Sequence, residues 1–456
     1  MRTLTQLLDC FMLINRSDYI CTSVNIFNAF YSAFQFTCFK YKTEFNRKSL
    51  QKTKRRIKMS FNPFEEKGQK VDSFYNWCDM NPAPYDKFTV DPYTKTRIIL
   101  MNGTEFEANW FSHQMQRHTD NNDLRRELAL LRRVEQQQQK RIGNLKPLNE
   151  TPLETTIAYE QLAVDLTAAL AEHEPNEYVK NALDFALLED FDHLYRYADL
   201  LEMEQGADVK TMVGGYTEIM PGRPTIVEHR HPFDDVRRHI DGKKSKPITR
   251  LNVGIITAAE QQTMNFYMNV ASLATTDASR RLYTEIAMIE EQHVTHYGSL
   301  MDTTCTWLEG LLEHQYTECY LYYSCMMTEC DAKIKKIWEQ HLYQEIGHLH
   351  YVAELLYKYE NKEWEDILGR GSFPEPVSLH GNIGYVRDVI KNTVNLNSNR
   401  EDYVACKDMP SDCEYFSYTR AVNGDKTAVS SHNVIETYMN NFGSDYRYET
   451  DKHPIL

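Results

Sequence analysis

No Cys-x-x-Cys pair occurs anywhere in the 456 residues, although the chain holds ten cysteines. That absence argues against a zinc ribbon or a rubredoxin-type iron centre, and Cys325 and Cys330, the closest two, have a spacing that suits neither. Positive charge is also short: 51 Lys/Arg face 65 Asp/Glu, and the formal charge of −14 argues against a primary nucleic-acid binder. The deficit is uneven. Residues 1–58 carry 11 Lys/Arg against 3 Asp/Glu, or +8, which leaves −22 for the rest. Such acidity suits a protein that gathers cations, and equally a solvated surface. Tyr19 to Phe39 lacks charge, but Asn25, Asn28, Gln35 and several Ser/Thr make it too polar to favour a membrane span, and no secretory signal stands out. Cys305, Cys319 and Cys325 fall in or beside predicted core helices, which favours reduced thiols and a cytoplasmic location.

Residues 1–58 read as a poorly ordered basic extension, ahead of a working protein that begins near Met59. In segment 59–150, Pro82, Pro84, Pro92 and Asn102-Gly103 suggest an extended arm with a turn or two, followed by one helix from Asp123 to Ile142. Segment 151–204 reads as a first helical hairpin, and 205–250 as a loop or small hairpin with alternation at Thr225-Ile226-Val227. His229, His231 and His239 there could bind a metal or simply solvate the loop, since their spacing fits no tetrahedral motif well. Segment 251–362 holds four helices, from about Asn252 to Leu273, Ala278 to Asp302, Trp307 to Cys330 and Lys333 to Tyr359. Segment 363–456 is a tail with one short helix, Tyr385 to Val394.

Two strings within those four helices carry chemistry: Glu290-Glu291-Gln292-His293 and Glu345-Ile346-Gly347-His348. Each is a Glu-x-x-His, and on a helix positions i and i+3 share a face. Each follows a glutamate in an earlier apolar stripe, Glu260 by 30 residues and Glu318 by 27. The stripes are Ile256, Glu260, Met264, Tyr267; Ile286, Glu290, His293, Tyr297; Leu311, Glu318, Tyr322, Cys325; and Trp338, Glu345, His348, Val352. Glutamates in apolar stripes are expected to be buried, and a buried carboxylate loses its charge or finds a cation. One Glu-x-x-His alone would be an ordinary helix surface. Two copies, each with its upstream glutamate, point to four carboxylates and two imidazoles around two divalent ions. Tyr267, Tyr297 and Tyr322 are candidates to hydrogen-bond a ligand or donate an electron, beside the plainer reading that they pack the core.

This pattern resembles the ferritin-like superfamily, most closely the rubrerythrin- and bacterioferritin-type carboxylate-bridged di-iron proteins, over about residues 250–360. The resemblance implies an all-α, ferritin-like four-helix bundle, here with an additional N-terminal helical hairpin and irregular terminal extensions. It implies Glu260 and Glu318 as terminal ligands, Glu290 and Glu345 as bridging ligands, and His293 and His348 as one imidazole per metal. The implied cofactor is two iron ions, or two manganese ions, and the implied function is an oxidoreductase that reduces peroxide or dioxygen. An external electron donor and a homodimer or higher homo-oligomer follow as expectations; a nucleic-acid or membrane partner does not. The rival readings are an iron-sequestration protein and a structural helical scaffold.

The first hairpin looks like a worn copy of the next. Glu160 parallels Glu260, and Asp190 and His193 parallel Glu290 and His293, all at an offset of 100 residues. It reads as a degenerate structural hairpin, as half of a site completed across a two-fold axis, or as a separate small domain.

Overall fold

Among the described residues, seven of the eight long helices begin where the sequence supplies a side-chain cap. Asp91 accepts from the Tyr93 amide ahead of Pro92, which opens helix α1 (Pro92–Arg117). Asn121 caps α2 (Asn122–Gly143). Thr151 and Glu154 form a reciprocal capping box at α3 (Pro152–His173), as Thr306 and Glu309 do at α7 (Trp307–Thr328). Asn176 caps α4 (Glu177–Gln205), which stops at the left-handed Gly206. Helix α5 (Pro247–Val270) opens on Pro247 alone. With α6 (Asp277–Gly298) and α8 (Ala332–Glu360) it completes four consecutive helical hairpins. Shorter helices α9 (Ile383–Thr393), α10 (Glu414–Asn423) and α11 (Ser430–Phe442) follow.

The computed structural model describes residues 61–223, 230–424, 429–443 and 447. Among these the fold is all-α; the only β feature is an isolated bridge between Leu396 and Asp402. No helix among them is long and apolar enough to cross a membrane. The basic extension 1–58 lies outside the described residues, as do Thr225-Ile226-Val227 and His229.

The hairpins pair in a nested order. The two inner ones meet, α3 against α5 and α4 against α6, and the two outer ones meet, α1 against α7 and α2 against α8. Helices α1 and α5 join the two halves, with α1 also touching α3 and α5 touching α7. Burial follows from this placement: every residue of α4 from Ala182 to Leu201 is buried. A helix enclosed on all sides cannot show a one-sided apolar stripe.

Two segments depart from the sequence expectation. The supposed extended arm contains α1, a 26-residue helix at the centre of the molecule. Asn102-Gly103 is not a turn: Gly103 sits in the helix interior, where a Cβ would stand 3.0 Å from the Ala258 carbonyl oxygen and 2.7 Å from Gln262 Cβ. The glycine serves the close approach of α1 to α5. Among the described residues the tail carries three helices of ten residues or more rather than one, and α11 packs on α4 and α6.

Candidate metal centre

Helix α4 carries five acids in its enclosed stretch, and four of them have a basic partner. Asp184 meets Lys180 at 2.8 Å and Arg400 at 2.7 Å, Asp192 meets Arg196 at 2.5 Å, Asp199 pairs with Arg447, and Glu189 pairs with Arg230. Asp190 has no Lys or Arg partner among the described residues. Neither do Glu160 on α3, Glu260 on α5 and Glu290 on α6. These four carboxylates and the imidazoles of His193 and His293 gather in one place, and no side chain of the six is more than 1% exposed.

Two overlapping ligand groups make up the cluster. Asp190, Glu260, Glu290 and His293 bring ligand atoms within 4.8 Å of one another, and so do Glu160, His193 and Glu290. Glu290 belongs to both, so one carboxylate is shared by the two groups. His293 Nδ1 lies 3.1 Å from Asp190 Oδ1, 3.2 Å from Glu290 Oε2 and 3.9 Å from Glu260 Oε2. It makes a hydrogen bond to none of them, and both oxygens of Asp190 and of Glu260 lack a hydrogen-bond partner. A buried nitrogen ringed by unpaired carboxylate oxygens is the arrangement a bound cation would satisfy.

The opposite nitrogen fixes the ring. His293 Nε2 lies 2.8 Å from Glu189 Oε2, and Glu189 is held by Arg230, whose Nε donates to Asp235 at 2.8 Å. A carboxylate on Nε2 leaves the Nδ1 lone pair free, as outer partners of ligating histidines do. The chain at Gly222 passes tight against α4, where a Cβ would lie 2.2 Å from the Leu188 carbonyl oxygen. On the other side, Tyr267 donates to Glu160 Oε1 at 2.5 Å, and the His193 and His293 rings stack with centroids 5.8 Å apart.

The electrostatics follow from burial without a compensating ion. Burial, with neighbouring carboxylates adding to it, raises Glu160, Asp190 and Glu260 above the ordinary carboxylate range, against the opposing pull of His193 and His293. Burial also pushes Glu290 up, but the two imidazoles against it outweigh that and hold it low. Burial works to lower His293, yet Asp190, Glu189 and Glu260 raise it well above its usual value. Burial likewise acts to raise Glu189, and Arg230 and His293 bring it down to about 2.

The six ligands expected from sequence do not share one centre. Glu260, Glu290 and His293 join Glu160, Asp190 and His193 of the first hairpin. Glu318, Glu345 and His348 instead face Glu105 on α1 and Glu135 and Gln138 on α2, in a second buried cluster between the outer hairpins. The reason is packing. Helices α5 and α6 lie against α3 and α4, while α7 and α8 lie against α1 and α2. The first hairpin is therefore not a spare copy, and its acids meet their partners within the same chain.

Tyr267 lies at the first cluster and Tyr322 at the second, where it donates to Glu105. The Tyr297 ring stands 6.5 Å from that of His293, and its buried hydroxyl has no hydrogen-bond partner. His231 and His239 join no ligand group among the described residues; His231 stands 3.5 Å from Glu414. Sequence reasoning missed Glu105, Glu135, Gln138 and Arg230, and offered Glu189, with Asp192, only as an alternative choice of acids in the first hairpin. One signal was there: Glu105 precedes Glu135 by 30 residues, as Glu160 precedes Asp190 and Glu260 precedes Glu290, and Gln138 falls where a histidine would. No family model, curated protein or solved structure matches the chain.

Proposed function

We propose that the inner hairpins form a ferritin-like four-helix unit whose cluster holds two iron or manganese ions and reduces dioxygen or peroxide. The observation that carries this reading is His293 Nδ1, buried among three carboxylates with no hydrogen bond, while Nε2 is held by Glu189. Two divalent ions would bring +4 against four carboxylates, leaving the cluster close to neutral. The oxygen and imidazole donors suit iron or manganese. Bound there, such a pair supplies two-electron redox chemistry.

The chain's own residues would do the rest. Glu290 belongs to both ligand groups; Asp190, Glu260 and His293 would complete the hold on one ion, and Glu160 and His193 on the other. Tyr267 fixes the angle of Glu160. Tyr297 keeps its proton, since burial, together with Asp190 and Glu260, raises its hydroxyl well above the usual range. That leaves a neutral hydroxyl, able to donate a hydrogen bond, on a ring 6.5 Å from that of His293. Near-complete burial limits reactants to small molecules. With no paired-cysteine iron centre in the sequence, electrons would come from an external donor.

Metal content tests the reading. The Asp190→Ala/Glu290→Ala variant is expected to lose about two ions per chain relative to wild type, together with reductant-dependent peroxide or oxygen consumption. A variant that keeps both would remove the proposal. Uptake of many irons per chain without turnover would favour sequestration instead.

A further inference from the structure

The cluster between the outer hairpins has its own order. Glu105, Glu135, Glu318 and Glu345 are each at most 1% exposed, and none has a Lys or Arg ion pair among the described residues. Each is pinned through one oxygen. Tyr322 donates to Glu105 Oε1, Gln315 Nε2 to Glu135 Oε1 at 3.0 Å and to Glu318 Oε2 at 2.5 Å, and Gln138 Nε2 to Glu345 Oε1 at 2.6 Å. The other oxygens of Glu105, Glu135 and Glu318 have no partner. The second oxygen of Glu345 is hydrogen-bonded to His348 Nδ1 at 3.1 Å, and His348 Nε2 has no partner. Neutral amides and a phenol thus hold the carboxylates in place without neutralising them.

Set beside the first cluster, the correspondence is residue for residue. Glu135 stands for Asp190, Glu318 for Glu260, Glu345 for Glu290 and His348 for His293. That half is intact, and Glu135, Glu345 and His348 bring ligand atoms within 4.8 Å of one another. The other half is changed. Glu105 stands for Glu160, but Gln138 stands for His193, and its amide N–H occupies the Glu345 oxygen that would face a second ion. The amide nitrogen donates and cannot ligate, and the unpartnered Gln138 Oε1 is a neutral, weaker donor than the imidazole it replaces.

We propose that this cluster is a second metal site of a different kind, taking a single divalent cation at Glu135, Glu318, Glu345 and His348, with Gln138 closing the neighbouring space. The inference stands apart from the reading of the first cluster, because its residues come from other helices and its stoichiometry is one.

Manganese(II) titration of the full-length, metal-stripped chain tests it, with bound ion counted from loss of the free-ion electron paramagnetic resonance signal and folding followed by circular dichroism. The first-cluster variant Asp190→Ala/Glu290→Ala is expected to keep one ion. Adding Glu345→Gln to it is expected to bring the count to none. Gln138→His in the same background is expected to raise it from one to two, by restoring the missing imidazole. A folded Asp190→Ala/Glu290→Ala chain that binds no manganese would overturn the proposal, as would a count that Gln138→His leaves at one. Failure of the first-cluster reading looks different, because that double variant would then bind as much as wild type.

Discussion

At the scale of single residues, the decisive contrast is between buried acids with a basic partner and buried acids without one. Glu189 and Asp190 are neighbours on α4, yet Arg230 holds the first, while imidazoles, His293 nearest at 3.1 Å, stand against the second. Glu189 is then a positioning residue: Glu189→Gln should keep the fold but lower metal affinity 10- to 100-fold, measured by competition with a chelator. Tyr297→Phe should leave the metal count unchanged and lower turnover, since it removes a proton without touching a ligand.

Asp165 gives a separate pH signature, away from both clusters. Burial raises it to about 7, against the hydrogen bonds that Thr217 and Tyr93 donate at 2.7 and 3.0 Å. Its unfolded value is about 3.9. Between those values the folded chain holds a proton that the unfolded chain has lost, so stability falls as pH rises. The slope is up to about 1.4 kcal/mol per pH unit across about pH 4 to 7 and levels off above. Asp165→Asn should remove that slope in denaturant melts at a series of pH values. If both proteins respond to pH alike, the assignment to Asp165 is wrong.

At the scale of elements, the helices of the three later hairpins, α3–α4, α5–α6 and α7–α8, were legible, and the central helix α1 ahead of them was not. Helix α8, with Trp338, Glu345, His348 and Val352 all buried on one face, starts and ends within a residue of its expected bounds. Helix α1 was missed because it is enclosed by α3, α5 and α7, so its polar residues fall on every face. Its Gly103 marks a close approach that sequence alone does not distinguish from a turn. Asp91 followed by Pro92 was the available signal for its start.

Gly347 plays a similar part inside the second Glu-x-x-His. A Cβ there would lie 2.0 Å from the Gln69 carbonyl oxygen, and the Gln69 amide donates to the Tyr343 carbonyl oxygen at 2.7 Å. Gly347→Ala should therefore push the chain around Gln69 off α8 and cost about 1–3 kcal/mol in chemical denaturation. An unchanged midpoint would show that this segment is not fixed there.

At the scale of the whole molecule, the ligand types were legible and their partners were not. Spacing on each hairpin picked out Glu260, Glu290 and His293, and the 100-residue repeat picked out Glu160, Asp190 and His193. Which hairpin meets which is set by contacts between helices far apart in sequence, and pairing the last two hairpins with each other was the wrong guess. The nested order pairs inner with inner and outer with outer, so Glu318, Glu345 and His348 sit with Glu105 and Glu135. A consequence is that removing ligands from one pair of hairpins should spare the ion count of the other.

The most direct test of the account is anomalous diffraction at the iron or manganese edge from crystals of the metal-loaded chain. Two peaks enclosed by Glu160, Asp190, His193, Glu260, Glu290 and His293 are expected. Peaks shared between Glu260 or Glu290 and Glu318 or Glu345, or no peak among the inner hairpins, would contradict it.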